Sequence, residues 1–278
     1  MARTLAVMLA AVLLLGACAP PPAADPTPVT PLRLQADASA YPLCEHLRQA
    51  WASSGAAAPL EVRESNAALA LEDLKAGRAD LVATCWKPRD DQASPLTPAA
   101  AWRWTPFAHD ALVVLVNLES PVEGLTLGQL RDVFSGRMET WLELTEDPEE
   151  IMVVSREDGA GARLDFEAQV MAGRRVTPAA VVMPSGRAVV EFVAEHRGAV
   201  GYASLSQAAP GVRAIALDEV LPTLQTVRDG RYPLPGLCYL VLPASGSPRA
   251  DEWVRFATGE AGQGALERFL KSLEPAAP

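Results

Sequence analysis

Ser155-Arg156-Glu157-Asp158-Gly159-Ala160-Gly161-Ala162-Arg163 is the stretch around which the chain is organised. Ahead of it, Ile151-Met152-Val153-Val154 is a short apolar run with the look of a buried strand. Behind it, Leu164, Ala168 and Met171 keep helical spacing. Strand, glycine-bearing turn and helix start in that order make an anion site. The free N–H groups of a first helical turn point at the turn, and the helix dipole favours negative charge there. Gly159 and Gly161 let the backbone approach a bound group closely. Arg156 and Arg163 bracket the turn with guanidinium groups that can fork onto an oxyanion. Taken alone, the stretch also reads as an ordinary turn with two surface arginines, because short glycine motifs recur by chance.

Working outward, strands and helices alternate. Leu32-Arg33-Leu34 opens a strand, 36–41 is a small-residue turn, and a helix runs from Pro42 through Trp51. Leu60–Arg63 is a second strand, Ala67 to Lys75 a helix stopped by Gly77, and Asp80–Ala83 a third strand. Ala111–Val116 and Tyr239–Leu242 are apolar strands, and Leu127–Phe134 and Val189–Val193 read as helical. Trp253, Phe256, Leu266, Phe269 and Leu273 mark closing helices. The class is α/β, with right-handed crossovers and a mainly parallel sheet. Ligands sit off the carboxyl ends of such strands, which singles out the turns at 36–41, 64–66, 84–88 and 155–163.

A length of 278 residues suits two modest domains or one large one. The net charge of -10 argues against nucleic acid or an anionic membrane surface as the main partner, although a local site can still hold a small anion. The amino terminus reads as a secretion signal, with Arg3 followed by an apolar run from Leu5 to Leu15 that is short for a membrane span. Leu15-Gly16-Ala17-Cys18 resembles the lipobox of bacterial lipoproteins, which implies cleavage after residue 17 and lipid on Cys18; the other reading is a plain signal peptide with an incidental cysteine. Residues 18–31 are rich in proline and alanine, as in a semi-rigid tether. Of Cys44, Cys85 and Cys238, at most two can pair within one molecule, and spacing does not choose them. The apolar run Leu237–Leu242 favours a buried free thiol at Cys238. Cys85 beside Lys87 has no base-and-orienter set that would make it a nucleophile, and His46, His109 and His196 show no ligand pairing. The reading is non-enzymatic, with no cofactor and no metal.

Four segments, in order, resemble the phosphate-binding proteins of bacterial phosphate ABC transporters. Leu127 to Gly136 with Trp141 looks like that family's LxxLRDIFSGxxxxW segment, and Ser155 to Arg163 resembles its SRxDGSGTR turn. Gly198 to Leu205 is similar to GAIGYxSL, and Val227 to Pro235 to VxxGxYPLxRP. The resemblance runs from about residue 32 to the carboxyl terminus. It implies a two-lobed type II periplasmic-binding fold, with mixed, mainly parallel sheets joined by two hinge strands at 111–116 and 237–242. One lobe would comprise 32–112 with 237–278, and the other 113–236. Ligand would bind in the cleft, with hinge closure around it.

The resemblance also implies a ligand set: Ser39 with the Ala40 N–H, Ser65, Arg156 held by an acid such as Asp158, and the Gly159–Arg163 turn through Ala160, Gly161, Ala162 and Arg163. The chain departs from the family in three places. Ala160 and Ala162 stand where serine and threonine hydroxyls are expected, and Cys85 where some members carry a proton-accepting acid. Each hydrogen bond lost to a charged ligand is worth roughly 1.5–3 kcal/mol. The implied function is an extracytoplasmic, lipid-anchored, monomeric protein that captures phosphate or a similar oxyanion for an ABC permease. The alternative is a degenerate copy of the fold, a non-transporting sensor or scaffold with weak or no phosphate binding.

Overall fold

A computed structural model describes residues 30–55, 59–88 and 102–273. The expected signal segment, Cys18 and the tether up to residue 29 lie outside the described residues. The chain runs through β1 (Leu32–Asp37), α1 (Tyr41–Ser53), β2 (Leu60–Ser65), α2 (Ala67–Lys75), β3 (Leu81–Thr84) and β4 (Trp102–Asn117). It continues through β5 (Gly124–Leu125), α3 (Leu127–Phe134), β6 (Met152–Arg156), α4 (Gly161–Phe166), β7 (Val181–Met183), α5 (Gly186–Glu195) and β8 (Ala199–Ser204). β9 (Val212–Ala214), β10 (Ala216–Leu217), α6 (Leu224–Arg228), β11 (Pro235–Pro243), α7 (Pro248–Thr258) and α8 (Glu260–Leu273) complete it.

β4 and β11 join the two lobes. The main sheet is ordered β2-β1-β3-β11-β4-β8-β6-β7, and β9 also pairs with β4. Pairing is parallel in the outer strands of each lobe, β1 with β2 and β3, β6 with β7 and β8. It is antiparallel where the long strands cross: Trp102–Ala111 of β4 pairs with β11, and Leu112–Val116 pairs with β8. The crossing strand is longer than its apolar core at 111–116 suggests. Its first half alternates exposed and half-buried residues around Trp102 and Trp104, so hydrophobicity alone does not reveal it.

Each lobe has its own core. Leu34, Leu43, Leu47, Leu81, Leu240 and Trp253 are fully buried in the first. Val114, Leu115, Phe134, Trp141, Phe166 and Tyr202 are fully buried in the second. Each such side chain contributes roughly 1.5–3 kcal/mol by leaving water. Local signals fix the helices. Thr126 and Gln129 close a reciprocal capping box on α3, and Asn66 caps α2 by accepting from Ala68 N. No helix among the described residues is long and apolar enough to cross a membrane.

One sequence expectation is corrected here. Cys238 is not a free thiol: it is bonded to Cys85, and the free buried cysteine is Cys44. The antiparallel register of β11 on β3, with Tyr239 opposite Thr84 and Leu240 opposite Ala83, brings Cys238 across from Cys85. Past the central turn, α4 gives way to a π-helical turn at Glu167–Met171. Ala162, Phe166, Val170 and Met171 form the buried face, whereas Leu164 points across the cleft to pack beside Ala67, Leu71 and Trp86 of the first lobe.

Candidate functional site

The carboxyl ends of β1 and β3 and the start of α1 converge on a buried carboxylate. Asp37 ends β1 and is 2% exposed. Its Oδ1 accepts the backbone N–H groups of Ser39 at 3.0 Å and Ala40 at 2.8 Å. Its Oδ2 accepts the Thr84 hydroxyl at 2.5 Å and the Cys85 N–H at 3.1 Å. Burial raises the Asp37 pKa, and those four donors oppose the rise. Ser65 ends β2 in register with Asp37 and is half-buried. Cys85 faces this cradle with its N–H, its sulfur being committed to Cys238, so no thiol is present there.

The second-lobe turn lies opposite. Arg156 ends β6 at 2% exposure and forks onto Glu157, with Nε and Nη2 each 3.0 Å from a carboxylate oxygen. It also donates to the carbonyls of Met183 and Pro184, both at 3.2 Å. The acid that holds Arg156 is therefore Glu157 and not Asp158; Asp158 pairs at 3.2 Å with Arg163. Asp158 follows the strand end and leaves its side chain 94% exposed, whereas the Glu157 carboxylate lies against the buried guanidinium. Arg163 donates further to Glu167 and to the carbonyl of Arg156. Ala160, Gly161 and Ala162 are buried at the cleft and bring no side-chain hydroxyl. Glu64 adds a third acid near Arg156; burial raises its pKa, with Asp37 and Glu157 adding to the rise and Arg156 opposing it.

The lobes touch. Asn66 Nδ2 donates to the carbonyl of Asp158 at 3.2 Å, and Ala68 N–H to that of Gly159 at 3.4 Å. A Cβ on Gly161 would lie 2.8 Å from Asp37 Oδ2 and 3.1 Å from Trp86 Cβ, so only glycine permits this approach. Beside this contact a small pocket, lined by Ser39, Cys85, Asp110, Ala162 and Ser204 among others, is about 10 Å³, room for roughly one water.

A polar relay seals its far side. Ser204 Oγ lies 2.7 Å from Asp110 and 2.8 Å from Ser206 Oγ, which is 3.0 Å from the Ser39 carbonyl. With Asp110 ionised, Ser204 donates to it, and the single Ser206 proton can serve only one of its two neighbours. With Asp110 protonated, one direction of donation satisfies all three contacts. Burial pushes the Asp110 pKa up to about 6, in keeping with that count.

The structure thus brings Ser39, Ala40, Cys85, Arg156 and the Ala160–Ala162 turn to one cleft. Sequence reasoning missed Asp37, Thr84, Glu157, Trp86 and Asp110. An acid directly after the buried alternation Leu32, Leu34, Ala36 was the available signal for Asp37.

Comparisons with known proteins agree with this architecture. A family model described as PBP superfamily domain matches residues 21–261. The chain is 29% identical over 124 residues to "Phosphate-binding protein PstS" of Bacillus subtilis, covering 44% of this chain and 41% of that one. It is 23% identical over 201 residues to the protein of the same name from Pseudomonas aeruginosa, covering 65% of this chain and 62% of that one. The chain thus spans less than two thirds of the length of either relative. Among solved structures, it superposes with a TM-score of 0.80 on a putative phosphate ABC transporter substrate-binding protein with bound phosphate from Clostridium perfringens. That match covers 86% of this chain and 98% of the other at 21% identity, a likeness of fold.

Proposed function

Because the chain belongs to the PBP superfamily domain family, we propose that it is an extracytoplasmic solute-binding protein whose interlobe cleft takes phosphate or a related oxyanion for an ABC permease. One observation carries the reading. The first-lobe cradle aims three backbone N–H groups and a hydroxyl at a single buried point, and a carboxylate sits there. A site that stabilises an anion by neutral donors suits a protein whose net charge is -10. The relatives named PstS support phosphate as the oxyanion. In this proposal Ser39, Ala40 and Ser65 supply the first-lobe contacts, and Arg156, Gly161 and Arg163 those of the second. The lobes are 32–112 with 237–278, and 113–236. The protein acts as a monomer, held to the membrane by lipid on Cys18 through the 18–31 tether.

The test is calorimetric titration of the full chain with phosphate, sulfate, molybdate and small carboxylates. Saturable heat with one oxyanion is expected; silence with every one removes the transport reading. Cys18→Ser is expected to move the protein from the membrane fraction to the soluble fraction, and an unchanged distribution would remove the anchor.

A second reading, a non-transporting sensor or scaffold, is favoured by the small cavity and by the self-held charges of Arg156 and Arg163. It predicts no change in small-angle scattering on adding phosphate.

A further inference from the structure

Resting on the oxyanion reading of the cleft, we infer that the Asp37 carboxylate is the cleft's resident anion: it occupies the donors that a free oxyanion would need and keeps inorganic phosphate out until it is displaced.

The donor geometry is the first support. Backbone N–H groups can neither rotate away nor accept, so the N–H groups of Ser39, Ala40 and Cys85 aimed at one buried point require an acceptor there. Asp37 supplies it with both oxygens, each taking two donors. The lack of a counter-ion is the second. Among the described residues no lysine, arginine or histidine forms an ion pair with Asp37, so the carboxylate rests on neutral dipoles, the arrangement that suits a captured anion. Position is the third. Oδ2 sits where a Cβ on Gly161 would come within 2.8 Å, so the carboxylate reaches from the first lobe to the backbone of the second-lobe turn. The small pocket beside the cradle, between Cys85, Asp110, Ala162 and Ser204, holds only about 10 Å³, too little for a tetrahedral oxyanion. Occupation, more than missing hydroxyls at Ala160 and Ala162, then sets affinity.

The experiment titrates inorganic phosphate into the full-length native protein, Asp37→Ala and Asp37→Asn, with melting followed in parallel in millimolar acetate or formate. Asp37→Ala empties the cradle and is expected to bind phosphate at least tenfold more tightly than the native chain. Acetate or formate should raise its Tm and leave the native Tm unchanged. Asp37→Asn keeps the bulk while removing the charge and is expected to gain less than threefold. Equal phosphate affinity in the native chain and Asp37→Ala overturns the inference and leaves the oxyanion reading standing. So does an equal gain in the Asn and Ala variants, which would make charge, not occupation, the barrier. Acetate-dependent stabilisation of Asp37→Ala with no phosphate binding upholds the resident anion and removes phosphate as the ligand. A folded Asp37→Ala that responds to neither carboxylate nor phosphate overturns the inference by a separate route.

Discussion

The two walls of the cleft hold charge in opposite ways. On the first-lobe side a negative charge, Asp37, rests on backbone N–H groups and one hydroxyl, and among the described residues no cation pairs with it. On the second-lobe side two positive charges, Arg156 and Arg163, are forked onto acids a few residues away, Glu157, Asp158 and Glu167. The first wall is an anion cradle filled from within; the second is a cationic turn neutralised from within. Fixed dipoles stabilise an anion without titrating and without moving, whereas an arginine can be lent to a ligand only by breaking its existing pairs. In the proposed function, selectivity resides in the first wall and the second is chiefly structural.

The largest effect should come from the covalent brace on the first wall. Cys85–Cys238 ties the end of β3 to the crossing strand β11 over a sequence separation of 153. Removing it with the double variant Cys85→Ser/Cys238→Ser is expected to cost roughly 2–5 kcal/mol, lowering Tm by roughly 5–15 °C. Calorimetry with and without a thiol reductant measures this; a native Tm indifferent to reductant would show that the brace is dispensable. Next in size is Arg156→Ala on the second wall. It leaves Glu157 with only the 3.4 Å contact from Asn66 Nδ2 and removes the donors to Met183 and Pro184, for an expected loss of about 2–4 kcal/mol in urea unfolding. Its mirror, Glu157→Gln, releases the guanidinium and should raise oxyanion affinity several-fold. A stable Arg156→Ala that only loses ligand would reverse the division of labour between the walls.

Much of this was legible in the residues. The apolar runs, Pro42 and Gly77 at helix ends, and the Gly159-Ala160-Gly161 turn marked the alternation of strands and helices, and Ala67–Lys75 and Leu127–Phe134 are helical over those spans. What was not legible is non-local. The cradle needs Thr84 and Cys85 beside Asp37, a distance of 47 or 48 positions that only sheet order closes. The disulfide needs the β11–β3 register, which composition does not encode. The choice between Glu157 and Asp158 depends on where the strand end aims two neighbouring acids. Leu164 keeps the helical spacing read from the sequence yet packs against first-lobe residues, a contact that only the tertiary fold reveals.

Gly161 is where the walls meet, and Gly161→Ala tests the contact between them. The added Cβ would meet Asp37 Oδ2 at 2.8 Å and Trp86 Cβ at 3.1 Å, so either the Asp37 side chain moves or the lobes part. Such overpacking typically costs about 1–3 kcal/mol, and scattering should show a larger radius of gyration. In an Asp37→Ala background the penalty should shrink, because the nearer of the two atoms is gone. A double-mutant cycle with no coupling would mean that the carboxylate does not bridge the walls.

Asp110 offers the subtlest test, because its relay joins the walls through Ser204, Ser206 and the Ser39 carbonyl. Its pKa in the folded protein is raised to about 6, against an ordinary value of about 3.9. A raised folded-state pKa means that folding favours the protonated form. The stabilisation is fully present below about pH 3.9 and is lost as pH rises through about 6. At about 1.4 kcal/mol per unit, the loss across that window is on the order of 3 kcal/mol. Asp37, also pushed upward by burial, adds a slope of the same sign, so the comparison must isolate Asp110. Asp110→Asn does so: its amide donates to Ser204 as the protonated acid does, whatever the pH. Melting curves from pH 4 to pH 7 should show the native protein losing ground to Asp110→Asn as pH rises, with the gap levelling off above about pH 6. Parallel curves would mean that Asp110 is ionised throughout, and that the third contact of the relay is made without its proton.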